Sequence, residues 1–117
     1  MNNVTEKIEF VRNFDPDGAA RLERLIGKKE GLLDRNIYGE RFTDRQFTLV
    51  FLPLLESAFN RARILETLSK GDKAIPAIAS ELDMGKQKVF DCVKELMRKN
   101  LVEIANHEDR DAVFRKK

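Results

Sequence analysis

The chain has 117 residues, which fits one domain of common size, and its 42% hydrophobic and 36% charged residues suit a folded core with a charged surface. The net charge of +2 indicates no partner by itself, and a single cysteine and a single histidine exclude an internal disulfide and an ordinary zinc site. No apolar run approaches the roughly 20 residues of a membrane span, and the N-terminal sequence lacks the blocks of a signal peptide, so we expect a cytoplasmic protein that needs no cofactor.

The first part of the chain, residues 1–60, is expected to be an N-terminal helical extension. The apolar spacing of residues 4–14 fits neither a clean helix nor a clean strand, with a helix slightly favoured. Asp15 is a good N-cap and Pro16 suits a first helical position, so a helix is predicted from Pro16 to Gly27. Its predicted apolar face consists of Ala19, Leu22, Leu25 and Ile26.

Residues 27–42 contain three glycines and many charges, which predicts an irregular connection. Its expected apolar anchors are Leu32, Leu33, Ile37 and Tyr38. Thr43 and Gln46 then form a capping box, which predicts the start of a helix that runs to Ser69. Pro53 falls within that helix and predicts a kink or a break into two helices.

The segment from residue 50 to residue 55 is apolar on every side of the predicted helix. A small domain rarely buries a whole helix circumference, so this segment predicts a contact with a second subunit. The residues predicted at that homodimer interface are Val50, Phe51, Leu52 and Leu55. The alternative is that residues 1–42 wrap around the same segment.

Residues 61–117 predict a mainly helical unit that ends in a small β-hairpin. A short helix begins near Ile75, a turn follows at residues 83–85, and a longer amphipathic helix covers residues 86–99. Asn100 suits the left-handed conformation that ends a helix. Two short strands, 101–104 and 112–115, are predicted around a polar turn at residues 106–109.

Residues 61–117 resemble the winged helix-turn-helix domains of MarR- and ArsR-like regulators, whereas residues 1–42 match no family. Ala79 matches the small residue of the first motif helix, and Val89 matches the core residue of the reading helix. The run Asn100 to Val102 corresponds to the family's Gly-Leu-Val, and Asp109-Arg110 to its wing signature. The pair Phe90-Asp91 departs from the Ser-Arg that the family presents to DNA.

The resemblance implies a transcriptional regulator that reads duplex DNA with helix 86–99 and with wing 101–117. The weak charge asymmetry agrees, since residues 1–60 have a net charge of −1 and residues 61–117 one of +3. Gln87 could read adenine, and Arg110 stands for the arginine that reaches the minor groove. The complete set of expected DNA-binding residues is Lys86, Gln87, Lys88, Lys94, Arg98, Arg110 and Arg115.

The sequence also bears on two other classes of function, a protein-binding module and an enzyme. A winged-helix module that binds proteins in a larger complex, and not DNA, is favoured by Phe90, Asp91 and the apolar segment 50–55. Phe90 could equally be a core residue, because Val93 and Met97 share its helical face. An enzyme is not expected, since Cys92 falls on a predicted inner stripe and His107 in a predicted turn, with no partner for either.

Overall fold

The structure is a computed structural model that describes residues 4–27 and 44–117. It is mainly helical with a small antiparallel sheet, as the sequence predicts. The predicted connection 27–42, with its four anchors, lies outside the described residues after Gly27, and so does the capping box of Thr43 and the Gln46 side chain. The chain divides into two compact units, Met1–Phe59 and Asn60–Lys117, where its length suggested one domain.

The first unit contains α1 (Val4–Phe14), α2 (Pro16–Gly27) and the first part of α3 (Asp44–Ser69). Asp15 caps α2 as predicted, because its buried carboxylate accepts the backbone N–H of Gly18 at 3.1 Å. Phe10 stacks edge-on against Phe59 of α3, with ring centroids 5.4 Å apart. The buried apolar residues of this unit are Ile8, Val11, Ala19, Leu22, Phe51, Leu55 and Ala58.

Two expectations for these helices need correction. Ile26, predicted on the buried face of α2, is 40% exposed, because it lies in the last turn. Of the two outcomes predicted at Pro53, a kink or a break into two helices, the break is wrong, because helix α3 continues through that residue. Proline removes its own N–H and frees the carbonyl one turn earlier, at Leu49. Both Pro53 and Leu49 are exposed, so solvent can bond the freed carbonyl and the helix can continue.

The second unit begins with the last part of α3 and continues through β1 (Lys73–Ala74), α4 (Ile75–Leu82) and α5 (Lys86–Arg98). Asp83 adopts a left-handed conformation, with φ of 53°, and ends α4, so the turn at residues 83–85 is confirmed. Asn100 also has the predicted left-handed conformation, with φ of 64°. The N–H of Leu101 donates to the carbonyl of Leu96 at 2.9 Å, which closes the end of α5.

Strands β2 (Val102–Glu108) and β3 (Asp111–Lys116) complete the unit as a hairpin. Both strands are longer than predicted, and the connection is a two-residue turn at Asp109 and Arg110 in place of the predicted turn at residues 106–109. Strand β1, which the sequence analysis missed, pairs with β3 and gives a three-stranded antiparallel sheet in the order β1-β3-β2. A shift in register lies between Ile104 and Asn106.

The core of the second unit lies between the helices and the sheet. Ile78 and Ala79 of α4 face inward, as do Val89, Val93 and Leu96 of α5. Val102, Val113 and Phe114 cover this core from the hairpin. Arg63 of α3 donates to the carbonyl of Leu82 at 3.0 Å, which holds the end of α4 against α3.

Candidate nucleic-acid interface

Helix α5 is placed by its inner stripe, and this placement decides which of its side chains face solvent. Val89, Val93 and Leu96 are at most 1% exposed. Because successive residues turn by about 100°, the opposite face contains Gln87, Asp91, Lys94 and Arg98, all of which are exposed. Lys86 and Lys88 lie in the first turn on either side of that face and are also exposed. The outward surface of α5 therefore contains five of the predicted DNA-binding residues.

Two of the four cations of α5, Lys86 and Lys88, lie in its first turn, and they differ from the other two in their intramolecular contacts. Among the described residues, neither Lys86 nor Lys88 has an ion-pair partner. Gln87, between them, donates from Nε2 to Oδ1 of Asp91 at 3.0 Å, one helical turn further on. The helix N-terminus adds a partial positive charge at this end. Each lysine can therefore contact a phosphate on its own flank of the helix, while the amide of Gln87 faces outward between them.

The other two cations of α5 have intramolecular partners. Arg98 donates from Nε to Oε2 of Glu95 at 3.0 Å, and this hydrogen bond lowers the pKa of Glu95 and raises that of Arg98. The Lys94 ammonium lies 5.3 Å from the ring centroid of Phe90. Both pairs are exposed and screened by solvent, so a nucleic-acid phosphate can replace either partner.

The hairpin contains two arginines, Arg110 in the turn and Arg115 on β3, and their contacts differ. Arg110 is exposed at the turn and has no ion-pair partner among the residues described, although three carboxylates, those of Glu108, Asp109 and Asp111, adjoin it in sequence. Arg115 instead donates to Oε1 of Glu103 from Nε at 3.1 Å and from Nη2 at 2.8 Å. These two hydrogen bonds to a single carboxylate oxygen raise the pKa of Arg115. Over residues 102–116 the hairpin has three cations against four carboxylates, a net charge of −1, so among the described residues Arg110 is its main unpaired positive group near the turn.

Exposed apolar side chains flank the polar face of α5. Phe90 is 43% exposed and Met97 is 38% exposed, so the interpretation of Phe90 as a core residue is wrong. The reason is the pitch of the helix, which turns Phe90 away from Val89 and Val93. Ile104 of β2 is exposed as well, at 44%.

Cys92 and His107 are the chain's single thiol and single imidazole. Cys92 is half-buried, and burial raises the pKa of its thiol although Arg61 and Lys88 act in the opposite direction. His107 is exposed on β2, not in a turn as predicted. Within the described ranges, no group of three or more Cys, His, Asp and Glu side chains comes together as metal ligands would.

The fold of the first unit buries part of the predicted dimer surface on α3 and leaves the rest exposed. Phe51 and Leu55 are 4% and 1% exposed, so these two residues contribute to the core of their own chain and are not free to contact a second one. Val50 and Leu52 remain 54% and 42% exposed. Two neighbours that the sequence analysis did not select are exposed too, Leu49 and Leu54.

Comparisons with protein families, with characterised proteins and with solved structures found no significant match. The resemblance to MarR- and ArsR-like domains therefore depends on the residues given above and stays a proposal. No helix within residues 4–27 and 44–117 combines the length and the apolar character that crossing a bilayer requires.

Proposed function

We propose that the second unit is a winged helix-turn-helix and that the protein is a cytoplasmic, DNA-binding transcriptional regulator. The order of elements supports this proposal, because the end of α3 is followed by β1, α4, a three-residue turn, α5 and a hairpin. In this proposal α5 enters the major groove and the hairpin is the wing. Gly85 starts α5 without a side chain cap, which leaves the first-turn N–H groups open to a phosphate.

The observation that carries the proposal is the first turn of α5. Lys86 and Lys88 are exposed on either side of Gln87, and neither lysine has an ion pair within the described part of the chain. Helix α5 as a whole has four cations against two carboxylates, a net charge of +2. Such a helix can bind phosphates with its flanks while its centre faces base edges.

The test is a binding titration on random duplex DNA over a range of salt concentrations. Reversing both lysines, Lys86→Glu with Lys88→Glu, should weaken binding to all sequences alike, and each lost phosphate contact should reduce the salt slope by about 1. Arg24→Glu with Lys70→Glu is the matched control, because both side chains are exposed outside the proposed interface and the pair changes the net charge by the same amount. If the unmutated protein has no salt-dependent affinity for any duplex, the proposal is wrong.

A second candidate function is a winged-helix module that binds another protein. The exposure of Phe90 and Met97 favours it, as do Asp91 on the outward face of α5 and the carboxylates beside Arg110. The two candidates make opposite forecasts. For the interaction module, Phe90→Ala abolishes partner binding, and the double lysine reversal leaves it intact.

We further propose that the regulator is a homodimer that associates through the first unit. The support is the exposed apolar surface on two turns of α3, formed by Leu49, Val50, Leu52 and Leu54. Isolated apolar residues are common on surfaces, but a contiguous group of large ones typically marks an interface. A two-fold axis would present two reading helices to two half-sites, about 34 Å apart along the DNA.

A further inference from the structure

Asp91 is the least expected residue on the outward face of α5, since a carboxylate repels the phosphates that the neighbouring lysines would attract. It stands in the middle of that face, one turn after Gln87, and both side chains are exposed. Its Oδ1 accepts a hydrogen bond from Nε2 of Gln87 at 3.0 Å. The carboxylate thus has a partner within the helix, and that partner is a group suited to reading a base.

The bond fixes which way the Gln87 amide points. An ionised carboxylate can only accept, so the side of the Gln87 amide that faces Asp91 must be the NH2 group. One N–H of Nε2 is then used, and the other N–H and the carbonyl oxygen Oε1 remain available. Without Asp91, the amide could turn and offer both of its N–H groups outward.

The two purines require different patterns from that amide. Adenine presents the N7 acceptor and the N6 amino donor in the major groove, which match one N–H and one carbonyl oxygen. Guanine presents two acceptors, N7 and O6, which require two donors. A glutamine whose second N–H is held by Asp91 can satisfy adenine fully but leaves one guanine acceptor without a donor.

We propose that Asp91 is a positioning residue. By holding one N–H of Gln87, it makes Gln87 bind adenine in preference to guanine in the major groove. The inference rests on the proposed DNA-binding function, and it names a feature of the operator, an adenine under the first turn of α5. Asp91 acts through Gln87 and need not contact DNA itself. In this role its negative charge lowers the general affinity for DNA while it raises the discrimination between purines.

The experiment selects bound sequences from a randomised duplex library with the unmutated protein and with Gln87→Ala. The position whose base preference Gln87→Ala erases is then tested with matched duplexes that contain A or G there. We expect the unmutated protein to prefer A over G by about five- to hundredfold, the usual range for one bidentate contact. Asp91→Ala should reduce this ratio severalfold and at the same time increase the affinity for both duplexes.

Two variants separate positioning from a general effect of charge. Asp91→Asn removes the charge but keeps a carbonyl oxygen that accepts from Gln87, so affinity should rise while the preference for A is retained. Glu95→Ala removes the next carboxylate of α5, which pairs with Arg98 and not with Gln87. It should raise affinity without changing the ratio, and a thermal melt of each variant checks that the fold is intact.

The outcomes distinguish this inference from the function on which it rests. If the unmutated protein binds no duplex, the proposed function fails and the inference fails with it. If it selects a sequence but Asp91→Ala preserves the full preference for A over G, the positioning role is wrong and the proposed function stands. The same conclusion follows if Gln87→Ala erases no preference at any position.

Discussion

At the scale of single residues, Asp15 and Gly18 show how one hydrogen bond restricts a neighbouring position. The Asp15 side chain is 7% exposed and caps α2 through the Gly18 N–H. A Cβ atom added at Gly18 would lie 2.4 Å from Oδ2 of Asp15 and 3.0 Å from its Cγ. Gly18 therefore provides the space that the capping carboxylate occupies, although alanine is by far the better helix former.

We predict that the effect of Gly18→Ala changes sign with the residue at position 15. In the natural chain the new methyl group displaces the carboxylate and weakens a cap that typically contributes about 1 kcal/mol. In an Asp15→Ala background the clash is gone, and the same substitution should stabilise by up to about 1 kcal/mol. Urea unfolding of the four variants measures both effects. Equal effects in the two backgrounds would show that the cap does not depend on Gly18.

Cys92 gives a prediction of pH dependence. Burial raises the pKa of its thiol in the folded chain above that of an unfolded cysteine, which is about 8.5. The corresponding stability is fully present below the unfolded pKa and is lost as the pH rises through the folded pKa. We expect the free energy of unfolding to fall in this alkaline range, and to fall less in Cys92→Ala. A native thiol that reacts with a disulfide reagent as fast as the unfolded chain does at pH 8 would contradict this picture.

At the scale of elements, the helices were easier to predict than the hairpin. Amphipathic spacing and capping residues define α2, α4 and α5 locally, within each segment. Strand β1 has only two residues and exists through its pairing with β3, far away in the chain, so no local pattern reveals it. The polar residues Asn106 and His107 suggested a turn, but they pair with Val113 and Ala112 in an exposed part of the hairpin where apolar side chains are not needed.

In the turn of that hairpin, Arg110 supplies a positive charge, but its backbone conformation lowers the stability of the protein. Asp109 and Arg110 have φ values of 48° and 74°, and positive φ at both central residues is typical of a type I′ turn, which favours glycine. Arg110→Gly should stabilise the protein by about 1 kcal/mol by removing this cost, and should weaken DNA binding. Arg110→Ala keeps the strain and loses the charge, so it should weaken DNA binding without the gain in stability. Thermal unfolding and DNA titration of both variants test the trade-off, and it fails if the glycine variant is the less stable of the two.

At the scale of the whole molecule, the sequence located the candidate interface but not its internal pairing. The seven predicted residues all lie on α5 or the hairpin and all are exposed. The bond between Gln87 and Asp91 could have been foreseen from their spacing of one helical turn. The bond between Arg115 and Glu103 could not, because it depends on the register of two strands. Likewise, hydrophobicity alone did not separate Phe51 and Leu55, which are buried, from Val50 and Leu52, which are exposed.

The proposed homodimer leads to a prediction about the mass of the protein in solution. Val50→Glu combined with Leu54→Glu places two charges on the exposed apolar surface of α3 and should give a monomer at micromolar concentration by light scattering. The control is Arg21→Glu, which changes the net charge by the same amount at an exposed position of α2 and should leave the dimer intact. A monomeric natural protein under these conditions would exclude the proposed assembly.

The pairing of β1 with β3 also has a consequence for the order of folding. The hairpin closes over two residues, whereas Lys73 must meet Phe114 across the whole of α4, α5 and β2. The entropy lost in closing a loop increases with its length, so local contacts form first and this distant pairing forms late. Strand β1 is then the last to join the sheet, and its arrival fixes the start of α4 directly behind it. We therefore expect α4 to become fully ordered only when β1 has paired with β3.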